Sequence, residues 1–115
     1  MKIEHDYRSF KAFKKLYSLT NTALITPGNL LSNIELPNYE SIKYIKIDNT
    51  LSVEIFCRVE NEKRAIFLYE FDSKRFLQRI LAKVDGDECS IIFDRASSLV
   101  SAKRQFTQSL REKVV

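Results

Sequence analysis

Histidine, cysteine, glycine and proline are all scarce in this chain. Its 115 residues include one His, two Cys, two Gly, two Pro, one Met and no Trp. His5 is the sole imidazole, beside Glu4 and Asp6, and spacing ties no nucleophile to it, so an acid–base constellation has no second member. Cys57 and Cys89 form no Cys-x-x-Cys pair, and with one distant His they cannot supply the four ligands of a zinc site. Gly28 and Gly86 lie too far apart to frame a phosphate-cradling loop. Asp85, Asp87 and Glu88 lack the alternation of a calcium-binding loop and read as a turn. The expectation is a protein that is not an enzyme and holds no metal or cofactor.

Long apolar runs are lacking too. No stretch approaches the ~18 uninterrupted apolar residues of a membrane span. The opening Met1-Lys2-Ile3-Glu4-His5-Asp6 leads into no apolar run, so neither a signal peptide nor a membrane partner is expected. With no sign of export, both cysteines read as buried thiols of a reducing, cytoplasmic compartment.

What the chain does have is a globular balance, 44% hydrophobic and 30% charged residues, fitting one domain over residues 1–115. Its net charge of +4 is unevenly placed. Residues 1–20 set Lys2, Arg8, Lys11, Lys14 and Lys15 against Glu4 and Asp6, and residues 95–115 set Arg95, Lys103, Arg104, Arg111 and Lys113 against Glu112. The ends are therefore basic and the middle acidic.

Hydrophobic periodicity predicts an α+β fold. Tyr7, Phe10, Phe13 and Tyr17 recur at helical spacing, giving a helix over about 6–19 with Asp6 as N-cap and the aromatic stripe turned to the core. Residues 20–40 are punctuated by Pro27-Gly28 and Pro37-Asn38, with a short helical turn between, and pack on the domain through their leucines and isoleucines. A three-stranded antiparallel meander follows over 42–47, 51–59 and 64–71. Phe76, Leu77, Ile80, Leu81 and Val84 suit a second helix over 74–84, capped by Asp72 or Ser73 and stopped at Gly86. A short fourth strand over 89–93 leads to a long C-terminal helix with a thin seam.

This order resembles two families. Helix, three strands, helix, with Pro37-Asn38-Tyr39 before the first strand and Ser73-Lys74-Arg75 opening the second helix, resembles a double-stranded-RNA-binding domain, which implies a phosphate grip at that helix start. The full order also resembles the small dimeric chaperones of type III secretion, which are usually acidic where this chain is basic.

Two functions follow. The favoured one is a small binding or regulatory protein working through protein–protein contacts, a homodimer being one form of it. Phe56 on the polar side of its strand, with Leu99, Phe106 and Leu110 on the thin seam, are the candidate apolar interface. The alternative is nucleic-acid binding, with Arg8, Lys11, Lys15, Lys103, Arg104 and Arg111 as the candidate basic surface. Their arrangement discriminates. One contiguous basic face favours nucleic acid; basic residues pointing apart beside an exposed apolar patch favour a protein partner.

Overall fold

A computed structural model describes the backbone of residues 2–114 and the side chains of 11–60 and 62–111. The fold is α+β, with a five-stranded antiparallel sheet and, at the two ends of the sequence, two long helices. The chain falls into two compact units, Ala23–Asp94 and the two terminal segments Met1–Thr22 and Arg95–Val115.

The first unit is a simple meander. Strands β1 (Tyr39–Ile47), β2 (Thr50–Arg58), β3 (Arg64–Phe71), β4 (Leu77–Val84) and β5 (Ser90–Asp94) lie in sheet order as they do in sequence. The register puts Ile42, Ile55, Phe67 and Ala82 in one cross-strand row, and Tyr44, Val53, Tyr69, Ile80 and Phe93 in the next. That face carries the core, with Val53, Ile55, Phe71 and Leu77 buried. Leu30 closes over it from helix α2 (Pro27–Leu31), which a short 3-10 turn at Ser32–Glu35 continues. Thr26 caps α2 in a capping box with Asn29, and the Tyr44 hydroxyl donates to the Pro27 carbonyl at 2.7 Å. The segment between the two prolines therefore packs on the sheet, as its leucines implied.

The second unit is an antiparallel helix pair. Helix α1 spans Lys2–Asn21 and α3 spans Arg95–Val114. Ala12, Leu16 and Leu19 face Leu99, Ala102, Phe106 and Ser109, each set alternating four- and three-residue steps, the repeat of a coiled-coil seam. Leu19, Ala102 and Ser109 are buried there.

The structure corrects the expected second helix. Residues 74–84 form no helix; β4 occupies most of them. The cause is a bulge. Phe71 pairs with Leu77 while its neighbour Glu70 pairs with Arg79, leaving Gln78 as an extra residue. Inward residues thus fall at Leu77, then Ile80, Ala82 and Val84, and the three-residue step mimics a helical period. Asp72 keeps the local role expected of a cap but in a hairpin tip. Its carboxylate accepts from the backbone N–H groups of Lys74 and Phe76, both at 2.9 Å. Arg75 takes the left-handed conformation there, at φ 65°. With no helix after β3, both resemblances in element order lapse, and Ser73-Lys74-Arg75 is a loop rather than a helix start. Three smaller corrections follow. Helix α1 begins at Lys2, so Asp6 lies inside it and is not its N-cap. Gly86 is left-handed, at φ 84°, but in the β4–β5 turn. Cys57 is buried as expected, whereas Cys89 is exposed.

Candidate docking surface on the helix pair

The helix seam turns Phe13 and Tyr17 of the aromatic stripe outward, while the side chains of Tyr7 and Phe10 lie outside the described residues. Phe13 and Tyr17 each follow a seam residue by one position, about 100° further around α1. They are 48% and 54% exposed, against the expectation that they form core. Phe13 reaches across to α3, its ring centroid 5.7 Å from that of Phe106 and 6.1 Å from that of Tyr17. Leu99 and Leu110 recur at seven and four residues from Phe106 and so follow its side of α3. Leu99 and Phe106 are half-buried and Leu110 is exposed. One flank of the pair is therefore an apolar strip in which the rings of Phe13, Tyr17 and Phe106 pack against each other, with Leu110 beyond them.

The candidate basic residues distribute differently. Lys11 and Lys15 lie on the other side of α1 from Phe13 and Tyr17, whereas Lys14, three residues before Tyr17, lies beside it toward the outer side; all three are exposed. Arg104 and Arg111, seven residues apart, point away from the seam on the outer side of α3. Lys103 lies beside Leu99, Phe106 and Leu110 on the apolar flank. The side chain of Arg8 lies outside the described residues. The two helices thus bring the basic ends of the chain together without aligning their cations on one face.

Arg95 is buried, although by residue type and position it reads as one more exposed cation of a basic helix. It opens α3, and its guanidinium donates to the Leu19 and Thr22 carbonyls at the end of α1. A cation is favoured at a helix C-terminus, where carbonyls lack backbone donors. Thr20, Asn21 and Thr22 add side-chain bonds to the Leu16, Tyr17 and Ser18 carbonyls.

Phe56 belongs to the sheet unit, so the structure divides the candidate interface residues between two units. It is half-buried on the face opposite the core, paired with Ser41 and Ile66. On the same face a shallow depression of about 300 Å³ is lined by Glu54, Ile66, Leu68, Leu81, Lys83 and Cys89. A second depression, of about 530 Å³, lies beside Arg58. Arg58 is occupied there by Glu40 at 2.8 Å and Glu62 at 3.0 Å. The hydrogen bond from Arg58 holds the Glu40 carboxyl below the ordinary carboxylate range. Among the described residues no three His, Cys, Asp or Glu side chains group to hold a metal ion, and no helix is long and apolar enough to cross a membrane.

Sequence reading named Leu99, Phe106 and Leu110 but missed their companions Phe13 and Tyr17. The signal was present in the four-three steps of Ala12, Leu16 and Leu19, which compete with the aromatics for the inner face. Comparison with family models, with curated proteins and with solved structures found no match to this chain.

Proposed function

We propose that this chain is a small non-enzymatic binding protein that acts through protein–protein contacts, and that the apolar flank of the α1–α3 pair is its docking surface. The observation that carries the reading is the side-by-side exposure of Phe13, Tyr17 and Leu110 on one flank. Contiguous apolar surface of that kind marks interaction sites, whereas singly scattered apolar residues are ordinary. Two free thiols with no disulfide suit a reducing cytoplasm. A homodimer is one form of the same reading.

Site-specific photo-crosslinking in the native cells tests it. A photoreactive side chain at Tyr17 or Leu110 is expected to give discrete protein adducts, and one at Ser101 or Gln105 to give none. Equal labelling at all four positions overturns the reading.

One observation favours a second reading, nucleic-acid binding by the terminal helices. The acidic Glu4, Asp6 and Glu112 offset few of the ten basic residues of the helical unit, which carries a net +7 from its +3 and +4 segments. The sheet unit, with nine basic and twelve acidic residues, carries −3.

A further inference from the structure

We propose that the apolar flank of the α1–α3 pair docks an acidic amphipathic helix of a partner protein. The inference rests on the docking reading above and adds the chemistry of the partner.

Shape comes first. The strip follows two antiparallel helices, with Leu99, Phe106 and Leu110 along one and Phe13 and Tyr17 along the other. From Leu99 to Leu110 it runs about 17 Å at the ~1.5 Å rise of a helix, the length of three helical turns. The aromatic rings pack against each other at 5.7 and 6.1 Å. They therefore form one continuous apolar strip instead of projecting as separate wedges. A third helix laid along such a strip buries residues at i, i+3, i+4 and i+7.

Charge selects the occupant. From Lys11 to Thr22 and from Arg95 to Arg111 the chain has no aspartate or glutamate at all. Lys103 sits within the strip, Lys14 lies toward the outer side of α1, and Arg104 and Arg111 lie on the outer side of α3. Among the described residues every charge beside the strip is thus positive, and carboxylates on both edges of a docked helix would find a cation. A second copy is the poorer occupant, since it would set two +7 units together with no carboxylate in these segments to pair with. An anionic lipid surface shares the charge preference but is served by apolar groups that project into it, not by rings folded onto one another.

The test uses the full chain and a labelled four-turn peptide with leucines at i, i+3, i+4 and i+7 and glutamates on both flanks, read by fluorescence anisotropy. Binding is expected to saturate, and to be lost at 1 M salt, where the Debye length is about 3 Å. Tyr17→Ser and Leu110→Ser, at exposed positions, and the pair Arg104→Glu with Arg111→Glu are each expected to weaken it about tenfold or more. Circular dichroism should show wild-type helix content in each. The proposal is overturned by equal binding of a sequence-scrambled or lysine-for-glutamate peptide, or by binding indifferent to these substitutions. It is also overturned by Tyr17-dependent binding to phosphatidylglycerol vesicles in place of the peptide, or by light scattering that shows a dimer dissolved by Tyr17→Ser. A displayed peptide library of unrestricted charge separates two failures. Neutral or basic binders that need Tyr17 or Leu110 sink the acidic assignment and leave protein docking standing. A library with no binder that needs either residue sinks both.

Discussion

Arg95 and the two cysteines show how single side chains are set by their surroundings. The Arg95 guanidinium is buried where α1 runs out of backbone donors, and it serves the carbonyls of Leu19 and Thr22. Arg95→Met keeps much of the side-chain volume and removes those donors, leaving carbonyls short of partners. The expected loss is about 1–3 kcal/mol, the usual cost of an unsatisfied buried polar group, read as a lower urea midpoint at unchanged m-value. Unchanged stability would mean that water serves those carbonyls equally well. The thiols differ in another way. Burial first, and the neighbouring Glu40 carboxylate second, push the Cys57 thiol above its ordinary range, so it is held as the unreactive thiol at neutral pH. Cys89 is exposed just before β5. Iodoacetamide under native conditions is expected to modify Cys89 alone, and Cys57 only in denaturant. Peptide mass mapping reads the result, and equal rates would contradict the placement of Cys57.

At the scale of elements, β4 explains both what was legible and what was not. The strand β3 was read from its residues to the same bounds, because its apolar residues occupy both parities without interruption. The strand β2 was read to within one residue at each end, from its alternation of Leu51, Val53, Ile55 and Cys57 with Ser52, Glu54 and Arg58. In β4 one bulge residue, Gln78, shifts the parity in mid-strand, and the pattern of two becomes a step of three. Local sequence cannot separate that step from a helix, because the bulge is fixed by pairing with β3. The same logic governs the candidate site. The step pattern of Leu99 and Phe106 marked α3, but the rotation of α1 is decided by which of its stripes fits α3, and small Ala12 lets the helices approach where Phe13 would hold them apart. The two readings of β4 differ in a measurable way. A helix would bury Leu77 and Leu81 together, whereas the strand buries Leu77 and turns Leu81 to the opposite face, half-exposed. Leu77→Asp is expected to unfold the chain, since an unpaired buried carboxylate costs several kcal/mol against a total of roughly 5–15 kcal/mol. Leu81→Asp is expected to keep a cooperative thermal transition at a modestly lower midpoint. Equal unfolding by both would restore the helix.

At the scale of the whole molecule, charge separates along the same division as the fold. The helical unit carries +7 and the sheet unit −3, so the chain total of +4 understates both. Net charge alone would predict attraction to any polyanion, but a phosphate backbone rewards only the cations that reach it together. Lys11 and Lys15 lie on one side of α1, Arg104 and Arg111 lie on the outer side of α3, and Lys103 sits on the apolar flank. These side chains point to different sides of the two helices, so a straight duplex is expected to meet a subset of them, about three. Each phosphate neutralised on duplex DNA contributes about −0.9 to the slope of log K against log salt. Retention on a heparin or duplex-DNA column is therefore expected to be weak, and any slope to be no steeper than about −3. Lys103→Glu and the paired Arg104→Glu and Arg111→Glu should change it by separate, small steps. Were the helices to present one phosphate-tracking face, the slope would approach about −5 and all of these reversals would act on one binding event. A measured slope of that steepness would move the functional reading from a protein partner to nucleic acid.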